Sequence, residues 1–273
     1  MVGKLLKHEF RATARVMLPI YAALAASAVL ANCSFRFIEV DSVFLKIVFG
    51  LFIALFLIGV VASVVLTAVV MIGRFYRNLL KEQGYLAHTL PVSAHCHIWS
   101  KLIVSLVWFT ATFLLVLLLV LATVLIQAGT PLGEMMADFP SWHAVRTVLI
   151  EYGVDPSSLV LLALEGLFGA ILACLVQCLH FYAAMSLGHT FPQKRILLSI
   201  AFYIGINFAF NILGTSLGVA LIQNPAIMYA DSMAALISYM PRTVGHVILM
   251  ELVQGTILYV ATYLPLKMGL NLP

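Results

Sequence analysis

Ser216 and His246 come closest to a recognisable catalytic pair. Ser216 sits at the centre of Gly214-Thr215-Ser216-Leu217-Gly218, a G-x-S-x-G string, and His246 falls at similar depth in a later apolar stretch. A hydroxyl with a histidine base is the minimum for an intramembrane Ser/His hydrolase. The string has helical rather than strand-to-turn surroundings, however, and Gly214 with Gly218 equally spells a G-x-x-x-G packing face. His95-Cys96-His97, with His88 nearby, offers metal-ligand chemistry, but alternate residues in a loop beside Pro91 lack a fixed scaffold. Cys174 and Cys178, four apart with His180 close behind, read as small packing residues before metal or redox ligands. With Cys33 and Cys96 they make four scattered cysteines, without zinc or disulfide spacing. Asn224-Pro225-Ala226 is the aquaporin tripeptide, but the second copy is missing and Ile227 and Met228 stand where an arginine should follow.

Polar residues inside apolar runs carry a different chemistry. Glu165 and Glu251 each interrupt a stretch otherwise able to cross a bilayer. A charge there costs about 2.5–3.5 kcal/mol on insertion scales, so such residues face a partner or a pathway. If their helices are neighbours, the two acids could share a proton or attract a cation. Asn207 and Asn211, one turn apart, and Gln177 and Gln254 add uncharged polarity, with interhelical hydrogen bonding as the structural alternative.

The elements that hold these residues follow from composition. The chain has 273 residues, 63% hydrophobic and 10% charged, against about 45–50% and 25% in soluble domains. That excludes a soluble globular domain, a disordered chain and a nucleic-acid binder. What remains is an all-α integral membrane protein, a single transmembrane domain over residues 1–273. Uncharged windows at 16–35, 47–73, 102–133, 166–193 and 196–230 each reach the roughly 20 residues a crossing needs. A sixth span covers about 243–266 around Glu251, and the fourth starts near Ser158 so as to include Glu165, giving six transmembrane helices. Eleven basic residues fall on one side: Lys4, Lys7, Arg11, Arg15, Arg74, Arg77, Lys81, Lys101, Lys194, Arg195 and Lys267. Only Arg36, Lys46, Arg146 and Arg242 fall on the other. The positive-inside rule then makes the first side cytoplasmic, with both termini there. Leu30-Ala31-Asn32-Cys33 approaches a lipoprotein cleavage box, but the long charged region before it, with Glu9, suits a retained helix.

Within residues 1–17, Lys4, Lys7, Arg11 and Arg15 recur on one helical face, opposite Val2, Leu6, Phe10 and Met17, with 1–15 as the helix. This predicts an interfacial helix lying apolar face down on membrane lipid and turning inward near Pro19; a simple basic anchor is the alternative. In the outer loop 128–157, Trp142, Val145, Val148, Leu149 and Tyr152 predict a small amphipathic surface helix. Residues 223–243 are apolar, Pro-bounded and too short to cross and return, which predicts an outer re-entrant hairpin before helix six. The loop 74–101, the longest cytoplasmic stretch, mixes charge, aromatics and a Gly-Tyr turn. It is the natural docking place for a soluble partner.

The chain has no G-x-x-x-x-G-K-[ST] loop, so no ATP site of its own is expected; its only Gly-Lys pair, Gly3-Lys4, precedes Leu5. Four segments resemble bacterial ABC transporter permeases of the type 2 export class: "MVGKLLKHEFRATARVMLPIY" (1–21), "FYRNLLKEQGYLAHTLPVSAHCHIWSKLIVS" (75–105), "FYAAMSLGHTFPQKRILLSIAFYIGIN" (181–207) and "YLPLKMGLNLP" (263–273). The block from Gly84-Tyr85-Leu86 to Leu90-Pro91-Val92-Ser93 is the most specific. The resemblance implies a six-span half-transporter whose coupling helix, residues 79–93, seats in a separate ABC ATPase subunit that carries ATP and magnesium. Tyr85 and Leu90 would be its apolar anchors, Glu82 a polar contact, and Leu79, Gly84 and Pro91 would shape it. Relatives place an acid before the glycine and an aromatic after the leucine, where Gln83 and His88 stand here. A second permease chain, identical or related, would complete a path lined by Asn207 and Asn211, with Glu165 and Glu251 as further candidates. This chain would then be a transport subunit rather than an enzyme. A passive channel and the Ser216/His246 hydrolase are the alternatives.

Overall fold

A computed structural model describes residues 2–35, 42–80, 93–128, 140–151, 154–191, 193–222 and 233–268. Among these residues the regular structure is helical: α1 (Val2–Phe35), α2 (Val43–Phe75), α3 (Ala94–Ala128), α4 (Trp142–Glu151), α5 (Pro156–Gly188), α6 (Arg195–Ile222) and α7 (Met233–Met268). A five-residue π-turn, Tyr76–Leu80, extends α2. Six helices, all but α4, are long and apolar enough to cross a membrane. Little of them is buried inside the protein: no residue of the most apolar α6 stretch and 28% of that of α1. Outward faces carrying Leu51, Leu57, Leu118, Leu167 and Ile204, each about half exposed or more, are stable in lipid and not in water. The protein is a multi-pass membrane protein.

Local sequence sets the helix ends. Asp155 caps α5, its carboxylate accepting from the Ser157 backbone N–H at 3.0 Å, and Pro156 follows at the first helical position. Ser141 caps α4 by accepting from the Ala144 N–H at 3.3 Å. The expected apolar face of α4 is met only in part: Val145 and Leu149 are half-buried, Trp142 and Val148 are exposed like Ile150, and Tyr152 lies outside the described residues.

Two expected features take another form. Residues 1–15 do not make a separate helix; α1 runs unbroken through Pro19 for 34 residues, about 51 Å at 1.5 Å per residue. Proline in a membrane helix forfeits one hydrogen bond that neighbouring groups compensate. Residues 233–243, the second half of the expected hairpin, are the first turns of α7 and continue through Pro241 into the sixth span. The first half, 223–232, lies outside the described residues.

The chain divides into two compact units, Met1–Arg74 with Trp99–Phe139, and Phe75–Ile98 with Pro140–Pro273. In the first, Leu24, Ala28 and Ala31 of α1 pack with Phe56 of α2, flanked by Leu115, Val116 and Leu119 of α3. A second cluster joins Met17, Met71 and Val104, with Leu6 and Phe10 against it. The apolar face of the N-terminal segment is thus covered by protein. Polar pairs run alongside. Trp108 Nε1 donates to Thr13 Oγ1 at 2.7 Å, the Tyr21 and Thr112 hydroxyls lie 2.8 Å apart, those of Thr67 and Thr112 3.0 Å, and Asn32 donates to Thr123 at 3.1 Å. Between membrane helices each such bond contributes about 0.6 kcal/mol.

In the second unit α5 and α7 pack in parallel. A Cβ on Gly169 would meet Ile248, and one on Gly255 would meet Val176 at 3.1 Å, contacts seven residues apart on both helices. Helix α6 returns antiparallel along α5, with Phe181 stacked on Tyr203 at 4.6 Å. Near the link between them Gly188 abuts Ser199 so closely that a Cβ would lie 2.6 Å from the Ser199 nitrogen. Only glycine permits that approach.

Candidate functional site

Residues 81–92, with Glu82, Gly84, Tyr85, Leu90 and Pro91, lie outside the described residues; the residues on either side of them are described. On the N-terminal flank Phe75 stacks on Tyr182 of α5, ring centroids 3.9 Å apart and 7° from coplanar. Tyr76 meets His189 edge-on at 5.4 Å. Phe75 and Tyr182 are fully buried, as are Leu79 and Leu80 at the end of the π-turn. On the C-terminal flank His95 Nδ1 lies 2.6 Å from the Tyr259 hydroxyl, and the ring stacks on Tyr263 at 4.1 Å. Tyr259 and Tyr263, with Lys267 over the Tyr263 ring, follow one another at four-residue steps along α7. The stubs of the loop are therefore held by aromatic contacts on the C-terminal parts of α5 and α7. His95 is committed to these rings, and among the described residues no group of three His, Cys, Asp or Glu side chains could hold a metal.

His189 terminates α5, donating from Nδ1 to the Met185 carbonyl at 2.8 Å. Its burial, with the Arg195 charge adding to it, pushes the imidazole below its ordinary range and keeps it neutral. Asp155 behaves oppositely: hydrogen bonds from the Ser157 hydroxyl and backbone hold its carboxyl below the usual carboxylate range.

Within the membrane the expected polar residues separate into distinct environments. The register of α5 against α7 offsets Glu165 and Glu251 by seven residues, about 10 Å along the axes. The two helices are neighbours, but the acids are too far apart along them to share a proton directly. The buried Oε2 of each lacks a hydrogen-bond partner. His180 donates from Nδ1 to the Val176 carbonyl at 3.0 Å. That leaves Nε2 as the acceptor, and the Gln254 amide donates to it at 2.9 Å, fixing the neutral tautomer between α5 and α7. Gln177 reaches the Tyr203 hydroxyl at 3.4 Å.

Asn207 and Asn211 donate to the carbonyls of Tyr203 and Asn207, each at 2.8 Å. Asn211 is exposed and lines a shallow depression on α6 with Phe208, Ile212, Thr215 and Ser216. Ser216 Oγ donates to the Leu213 carbonyl at 2.8 Å and His246 Nδ1 to the Arg242 carbonyl at 2.6 Å. Each bonds within its own helix, and no hydrogen bond joins the two side chains.

One cluster escaped the sequence reading. The Glu9 carboxylate, 12% exposed, accepts from Arg74 Nε at 3.2 Å and also binds Lys101 Nζ, whose side chain is 5% exposed. It joins α1, α2 and α3 through one acid and two cations. The only sequence signal was an acid amid four bases. No family of known proteins, no curated protein and no solved structure matches the chain.

Proposed function

We propose that this chain is the membrane-spanning permease subunit of an ATP-driven exporter of the ABC type 2 class, forming half of the translocation path. One observation carries the reading: both flanks of the loop 81–92 are fastened by aromatic contacts to spans four and six. A partner that moved this loop would move those helices rather than a slack connector. Rigid helices with a bistable packing transmit such displacements across a membrane. The resemblance of residues 75–105 to the coupling segment of these permeases supplies the partner's class, and in this reading ATP and magnesium belong to a separate ATPase.

The exposed face of α6 supports the second half of the reading. Asn211 and Ser216 each make one hydrogen bond inside α6, and with Thr215 they line an exposed depression on a spanning helix, where lipid tails offer nothing to their remaining hydrogen-bonding capacity. A second permease chain and the path between the two would meet them. In this reading residues 233–243 belong to the outer gate region, and the basic ends of the spans face the cytoplasm. A Ser216/His246 hydrolase would need the two side chains to pair, and each instead bonds inside its own helix.

The test is association. Tyr85→Asp and Leu90→Asp, made separately, should abolish co-purification of a nucleotide-binding subunit while leaving membrane insertion unchanged. Recovery of the complex at wild-type yield from both variants would overturn the proposal.

A further inference from the structure

The N-terminal part of α1 presents a cationic face whose direction the rest of the helix defines. At 100° per residue, Lys7, Arg11, Arg15, Leu18, Ala22, Ala26 and Val29 fall within an arc of about 100°, and all seven are exposed. Thr13, Met17, Leu24, Ala28 and Ala31, all buried, fall on the opposite side. Leu18 and Val29, about 60% exposed, belong to the surface that meets lipid tails, and the three cations continue that surface below it. The helix contains one acid, Glu9, which is turned inward onto Arg74 and Lys101. Among the side chains described, the outward face thus bears three positive charges and no negative one.

We infer that Lys7, Arg11 and Arg15 form a binding surface for anionic phospholipid headgroups. Arg15 lies about 4.5 Å before Leu18 along the axis, Arg11 about 10 Å and Lys7 about 16 Å. The headgroup layer on each side of the hydrocarbon is roughly 5–7 Å deep, so Arg15 sits in it. Arg11 stands at its aqueous edge, and Lys7 reaches back along its flexible stem. On the apolar face of this segment Leu6, Phe10 and Met17 pack with Met71 and Val104, so attachment here is electrostatic, the reverse of an amphipathic helix laid apolar face down. Guanidinium forks match phosphate oxygens bidentately, and Arg11 and Arg15 are the two positions nearest the phosphates. The inference stands on helix geometry and is independent of the transport reading.

The experiment is native mass spectrometry of the purified full chain in detergent, titrated with phosphatidylglycerol or phosphatidylcholine of identical acyl chains. Wild type should retain phosphatidylglycerol in preference. A basic residue near an anionic surface contributes about fivefold in affinity, so Lys7→Gln/Arg11→Gln/Arg15→Gln together should lower phosphatidylglycerol retention on the order of a hundredfold, toward the phosphatidylcholine level. Lys194→Gln/Lys267→Gln, which removes two exposed cations elsewhere, should leave it unchanged. Should the triple variant fail to insert, Arg11→Glu alone is expected to lower retention by roughly twenty-fivefold. Equal retention of the two lipids by wild type, undiminished retention by the triple variant, or an equal loss in the Lys194/Lys267 control would overturn the inference.

Discussion

Replacing Glu9 by glutamine should destabilise the first unit far more than replacing Lys101 by methionine. Glu9 is flanked by Arg74 at 3.2 Å and by Lys101, with side-chain exposures of 12%, 17% and 5%. At an effective dielectric of about 20, a pair at 3.2 Å attracts by roughly 5 kcal/mol, much of it offset by desolvation of the two ions. The variants differ in what they leave behind. Glu9→Gln leaves the buried Lys101 and the half-buried Arg74 facing one another without the Glu9 counter-charge, the situation in which loss of a partner costs about 3–5 kcal/mol. Lys101→Met leaves a balanced Glu9–Arg74 pair and adds apolar surface, so its cost should stay below about 1.5 kcal/mol. At about 2–4 °C per kcal/mol for a chain of this size, the first variant should lower the apparent melting midpoint by on the order of 10 °C and the second by a few degrees. Fluorescence-detected size exclusion after a heating series in mild detergent reads both. Equal losses, or a larger loss from Lys101→Met, would refute the reasoning that net buried charge governs this junction.

Gly188→Ala should cost about 1–3 kcal/mol, because the new methyl would lie 2.6 and 2.8 Å from Ser199 backbone atoms; a wild-type midpoint in the same heating series would contradict that close approach. The folded state holds His189 neutral below its ordinary range, whereas the unfolded chain takes up a proton near pH 6.5. Its contribution is therefore full above about pH 6.5 and lost as pH falls below it; His189→Gln should shrink the difference between midpoints at pH 8 and pH 5, and an unchanged difference would exclude this residue as its source. His95→Ala removes a ring stack worth about 0.5–1.5 kcal/mol and one hydrogen bond worth about 1. Hydrogen exchange across residues 93–98 should accelerate while the global midpoint moves little, and unchanged protection there would disprove the clamp.

The spans were legible because a bilayer imposes length and apolarity on contiguous residues, which a sequence displays directly. The short helix Trp142–Glu151 was legible for a related reason, its apolar residues recurring at helical period beside polar ones. The segment 1–15 was read correctly as helical but with its apolar side toward lipid. Periodicity cannot distinguish a face covered by Met71 and Val104 from one covered by acyl chains, since both are apolar. Within each unit the organising contacts join residues remote in sequence: Glu9 with Arg74 and Lys101 in the first, His180 with Gln254 and His95 with Tyr259 and Tyr263 in the second. A histidine in a loop beside a proline gives no sign that two tyrosines more than 160 residues away will bracket it. The helical onset at Met233 was obscured by Pro241, which reads as a boundary in isolation but is accommodated inside α7.

The central claim, that this chain works as the permease of an ATP-driven exporter, is tested most directly by purifying it in mild detergent from its native host and assaying the eluate for vanadate-sensitive ATP hydrolysis. The expected result is a co-purifying subunit bearing a Walker motif, with hydrolysis that Tyr85→Asp removes from the eluate. A chain recovered alone and without ATPase activity, from cells in which such a subunit is expressed, would contradict the account.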